Sequence, residues 1–336
     1  MKVGELREKL AKLKKEELIK VASEFYKLIP KAKKEDYDVD SFLESPLKTK
    51  KKSSSKTKLS LFELDIDIRT FIEHAKEGYY YQSNNVISKK ERPKWRFKVK
   101  NWYKELLNRK REDVDLEKQA ELLSDLYELL CESCHYINFS GDNPFRSIGI
   151  TQWDFYDSVI GLLQEAKGKS NTIKKSIKLI VDNPLDQNTL YSSLMMVLIK
   201  TYEISDLKYA GIDCVKKLIV ENDNAPRTKS NTWGFSNNRD FQKKRKNNNL
   251  TELGLRLYLS LVETEEGIGF YYKRYQESSE EVKLYILIRV LFNYEKKEQI
   301  VIEIEKAMSQ GVKPRQNLID LMNKIKKTGK LPQYMR

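Results

Sequence analysis

Between Lys89 and Arg111 the chain carries eleven Lys or Arg residues and two acids in 23 positions. Trp95, Phe97, Trp102 and Tyr103 are interleaved with those charges, and two of the four tryptophans of the whole chain lie here. Phosphate recognition needs cations at roughly backbone spacing, and stacking on unpaired bases needs flat aromatic faces. The segment supplies both. Its candidate contacts are Lys94, Trp95, Arg96, Lys98, Lys100, Trp102, Lys104, Arg109 and Arg111, with Lys243, Lys244, Arg245 and Lys246 as a second basic cluster. Lys and Arg would neutralise phosphates, and the tryptophans would stack or pack.

Two geometries compete for this segment. As a strand, Lys94, Arg96, Lys98 and Lys100 form a cationic face opposite Trp95, Phe97 and Val99. As a helix, Trp95, Val99, Trp102, Tyr103 and Leu106 form a stripe that runs on into Leu107. The continuing stripe favours a helix from Trp95. In that geometry the aromatics also suit an ordinary core and the cations a solvated face.

A second constellation is Cys131-Glu132-Ser133-Cys134-His135. It matches the C-x-x-C-H string of covalent haem attachment, which goes with export, and no signal peptide is evident. On a helix, Cys131, Cys134 and His135 share one face. That would make three zinc ligands if a fourth came from elsewhere. The chain offers only His74 and Cys214 besides, and the plainer reading is two small buried hydrophobes. No cofactor is expected, with zinc as the one metal the residues suggest.

A third is Arg69-Thr70-Phe71-Ile72-Glu73-His74. An Arg followed by His five positions on resembles the R-x4–6-H signature of the all-helical HEPN ribonucleases. Thr70 fits the polar position after the Arg only loosely. The resemblance implies that Arg69 and His74 act jointly on an RNA phosphodiester. Such chemistry suits a group titrating near neutral pH beside a cation that stabilises phosphoryl charge. Residues 3–19, through Val3-Gly4-Glu5-Leu6 and Glu17-Leu18-Ile19, also resemble the two-helix SAP-type DNA-binding module, without its glycine-bearing turn. P-loop, dinucleotide-binding, HExxH and GxSxG motifs are absent, which disfavours nucleotide-hydrolysis engines, Rossmann enzymes, zincins and α/β-hydrolases.

The elements behind these residues read as helices. Among 336 residues there are only 13 glycines and 8 prolines, too few for the turns of a sandwich or barrel. The expected fold is all-α. A charged N-terminal helical segment spans 1–44, broken near Lys15, and a Lys/Ser-rich linker spans 45–58. A basic helical middle domain spans 59–148. From 149 to 336 short helices succeed one another as an α-solenoid-like array or a compact bundle, interrupted by a basic Asn-rich loop at 222–249.

The net charge of +14 favours a polyanionic partner, RNA or DNA, or an acidic protein. Three cysteines make no disulfide framework, and no apolar stretch is long enough to span a membrane, so the expected location is cytoplasmic. The expected function is nucleic-acid binding without catalysis. The alternatives are the ribonuclease that Arg69 and His74 suggest, and a scaffold whose C-terminal helical array holds a protein partner.

Overall fold

The computed structural model describes residues 3–30, 34, 60–81, 94–109, 115–141, 143–225 and 236–335. The 45–58 linker and Arg111 lie outside the described residues. The chain is all-α, with helix over 75% of it, fifteen helices and no strand among the described residues. It divides into two compact units, Met1–Leu59 and Ser60–Arg336. The boundary expected at 148/149 falls inside the second unit.

The first unit contains α1 (Val3–Leu10) and α2 (Lys15–Leu28). Glu16 and Glu17 in the first turn of α2 and Lys27 in its last turn complement the helix dipole. No residue of α2 is buried.

The second unit begins with α3 (Leu61–Lys76), α4 (Trp95–Leu107) and α5 (Leu116–Glu132). Ser60 caps α3 by accepting from the Glu63 amide at 3.1 Å, and the Glu63 carboxylate accepts from the Ser60 amide at 2.7 Å. The Ser60 amide and hydroxyl, both donating to the Glu63 carboxylate, hold it below the usual range. Asp115 caps α5 through the Lys118 amide. α5 packs against α3, α4, the short α6 (Pro144–Ile148) and α7 (Gln152–Lys167). This is why Leu122 and Leu129 are buried as well as the stripe of Leu123, Leu126, Tyr127 and Leu130.

Then follow α8 (Lys169–Val181), α9 (Tyr191–Thr201), α10 (Ser205–Asn224), α11 (Ser236–Ser260), α12 (Thr264–Arg274), α13 (Glu280–Asn293), α14 (Lys297–Ser309) and α15 (Gln316–Thr328). Contacts run mainly between helices adjacent or next-but-one in order: α7 with α8 and α9, α10 with α11, α11 with α12, α13 with α14, α14 with α15. One apolar cluster joins Leu255 and Leu259 of α11 to Leu287 of α13, Ile304 of α14 and Leu321 of α15. α11 and α12 approach so closely that a Cβ on Gly254 would stand 2.5 Å from the Phe270 ring.

The expected loop at 222–249 is corrected. α10 continues to Asn224 and α11 starts at Ser236, with 226–235 outside the described residues. The polar run is helical because its amides are bonded across the helix pair. Asn222 Nδ2 donates to Asn247 Oδ1 at 2.6 Å, and Asn247 Nδ2 donates to Asp223 Oδ1 at 2.8 Å. Asn247 is buried, a position asparagine holds only when its amide is satisfied.

Candidate nucleic-acid interface

α4 is where chemistry-bearing residues concentrate without being consumed by structure. Its inner face is Trp95, Val99, Trp102 and Leu106, all buried. The Trp95 ring stacks on Phe139 at 4.1 Å between centroids, and Trp102 meets Phe71 edge-on at 5.1 Å. Of the two roles open to the tryptophans, the structure shows packing: their faces are spent inside the unit. Tyr103 is also turned inward, its hydroxyl 2.7 Å from Ser158 Oγ.

The outer face holds Lys94, Arg96, Phe97, Lys98, Asn101 and Lys104, all exposed, with Lys100 half-buried. None of Lys94, Arg96, Lys98, Lys100 or Lys104 is in an ion pair with a carboxylate among the described residues. The only acid of α4, Glu105, accepts from Arg109 at 2.8 Å. Lys100 Nζ lies 3.4 Å from where a Cβ on Gly149 would stand, beside the C-terminal end of α6, whose carbonyls favour a cation. Arg96 with Lys100, and Lys100 with Lys104, are like charges four residues apart. Each such pair costs an isolated helix about 0.2–0.5 kcal/mol.

α8 is the useful contrast. It too carries four lysines and no acid. Yet Lys169 meets Glu203 at 2.9 Å, Lys174 meets Glu221 at 2.7 Å, and Lys175 meets Glu128. Three of the four α8 lysines thus meet carboxylates of other segments and Lys178 does not, whereas no lysine of α4 meets a carboxylate among the described residues.

The second basic cluster belongs to the first kind. Lys243 donates to the Asp223 carbonyl at 2.9 Å, Lys244 pairs with Glu277 at 3.5 Å and Lys246 pairs with Asp182. These ties dock α11 onto α10 and onto the segments after α8 and α12. Arg245 instead lines a cleft of about 820 Å³ that also holds Arg69, Asp125, Glu128, Glu132 and His135. Arg109, held by Glu105, is only 10% exposed in its side chain.

Arg69 and His74 both lie on α3, five positions apart and so about 140° around the helix. Arg69 donates to Asp65 at 2.7 Å and Glu121 at 2.6 Å, with Asp125 at 3.8 Å. His74 packs by its ring against Tyr79 and is absent from the cleft that Arg69 lines.

Cys131, Cys134 and His135 differ in burial. Cys131 is fully buried, and its Sγ accepts from Gln152 Nε2 at 3.2 Å. Burial pushes its thiol well up. Cys134 donates back to the Leu130 carbonyl, and burial, with the Asp186 carboxylate adding, pushes its thiol up to about 12. His135 is exposed, and no group of three potential metal ligands converges among the described residues.

Phe97 is the residue that sequence reasoning passed over as a site. It is 62% exposed at the centre of the cationic face. The signal was its offset: two positions from Trp95 is about 160° around a helix, on the opposite side from the core stripe.

No family model, curated protein or solved structure matches the chain.

Proposed function

We propose that this protein binds nucleic acid through the outer face of α4, without catalysis. The observation that carries the reading is the set of five cations, Lys94 at the N-cap and Arg96, Lys98, Lys100 and Lys104 on one short helix, with no carboxylate partner among the described residues. A helix that pays like-charge repulsion and receives no compensating acid suits a surface completed by an external polyanion. The buried inner face supports the same reading, because Trp95 and Trp102 hold the helix rigidly in place for its outer cations. The sequential packing of α7 to α15 supports reading that part as an array of paired helices, a support for the interface and not its contact surface.

The test is binding of nucleic-acid-freed protein to a fluorescent RNA oligonucleotide near physiological salt, followed by anisotropy. Arg96→Glu with Lys100→Glu is expected to weaken binding about tenfold or more. Lys273→Glu with Lys327→Glu changes net charge equally at exposed lysines of α12 and α15 and is expected to leave affinity nearly unchanged. Equal losses from both pairs would show that only overall charge matters and would remove α4 from the account.

A further inference from the structure

We infer that the ligand of the α4 face is single-stranded nucleic acid, with an unpaired base stacked on Phe97. The inference rests on the proposed binding role of α4 and adds the class of strand. Phe97 shares its side of the helix with Lys100, Asn101 and Lys104, at three, four and seven positions on, and Arg96 adjoins it. Phe97 and Asn101 are exposed, and among the described residues the Phe97 ring takes part in no aromatic pair, unlike Trp95 and Trp102.

A phenyl ring in that setting is costly to leave in water, and this one is 62% exposed. A single exposed phenylalanine is ordinary on a protein surface. This one is distinguished by its surroundings, a ring of unpaired cations that would repel most apolar protein surfaces and attract phosphates. Arg96, Lys100 and Lys104 follow one another at about 6 Å along the helix axis. That interval suits successive phosphates of one extended strand. A base between two such phosphates reaches the Phe97 face, and Asn101, one turn on, offers both a donor and an acceptor to a base edge. In a duplex the base faces are covered by their own stack, so Phe97 would gain nothing there. Stacking platforms of this kind tolerate any base, since every base has a π-face.

The experiment compares a uridine oligonucleotide of about 12 residues with RNA and DNA duplexes of the same length, using the full chain. Wild type is expected to prefer the single strand. Phe97→Ala is expected to weaken single-strand binding by about tenfold and leave duplex binding unchanged, and Phe97→Trp to preserve it. Stacking should also quench the emission of the tryptophan placed at 97 when the oligonucleotide is added. Because Phe97 is exposed, its replacement leaves the fold intact, which far-UV circular dichroism verifies. If Phe97→Ala binds the single strand as wild type does, while Arg96→Glu with Lys100→Glu still abolishes binding, the stacking inference falls and the phosphate-binding role stands. Duplex bound as tightly as single strand overturns the inference in the same way. If wild type binds neither, the binding role falls and the stacking inference with it.

Discussion

At the scale of single residues, backbone geometry and burial decide more than residue type. Val262 adopts φ of +67° and is 75% exposed. The Glu263 amide bonds back to the Tyr258 carbonyl at 3.1 Å, so Val262 occupies the left-handed position that closes α11. The end of α14 uses the same closure, with the Val312 amide on the Ala307 carbonyl, and there the left-handed residue is Gly311. A β-branched side chain in that conformation costs roughly 1–2 kcal/mol, part of which glycine forfeits as unfolded-state entropy. Val262→Gly is therefore expected to raise stability by about 1 kcal/mol, read as a higher urea midpoint at unchanged slope. An equal or lower midpoint would show that the valine is accommodated without strain. The same scale explains what was legible at α4. The spacing of Trp95, Val99, Trp102 and Leu106 announced the core stripe. Treating the aromatics as one group concealed that Phe97 points the other way.

At the scale of the element, the partners of a helix decide what its charges mean, and partners are distant in sequence. α4 and the first half of α11 look alike as strings, Lys- and Arg-rich with few acids. The carboxylates that neutralise α11 come from Asp182, Asp223 and Glu277, positions no local window includes. Hence a paired helix read as a basic loop, whereas the succession of short helices in the C-terminal half, whose apolar spacing is local, was legible. The second half of α11 holds the clearest energetic test. Arg256 is 1% exposed, and its guanidinium bonds Glu252 Oε1 at 3.0 Å through Nε and 2.6 Å through Nη2. Arg289 approaches the other carboxylate oxygen at 3.9 Å. Removing one partner leaves an uncompensated charge beside the C-terminal core, which typically costs about 3–5 kcal/mol. Arg256→Ala is expected to lose that much in urea unfolding. A loss under about 1 kcal/mol would mean that water or Arg289 replaces the guanidinium freely.

At the scale of the whole molecule, the net charge of +14 is a weak argument and its distribution a strong one. Near physiological salt the screening length is about 8 Å, so cations on remote helices add little at a given contact. Many are already matched, as Lys169, Lys174, Lys175, Lys244 and Lys246 are. Composition made the all-α class legible. It left open where a polyanion would lie, because that depends on which cations the fold leaves unmatched. In the proposed reading, the buried faces of α4 and α5 would hold the interface in place, and the +14 charge would contribute long-range steering at low salt.

The most direct test of this account is the salt dependence of affinity for the single-stranded uridine oligonucleotide. It is measured for wild type and for the variant with Arg96, Lys98, Lys100 and Lys104 all changed to Gln. Four engaged phosphates on a single strand predict a log–log slope of roughly −3 for wild type, and a slope near zero with little residual affinity for the variant. A variant that keeps both the slope and the affinity of wild type would contradict the assignment of the interface to α4.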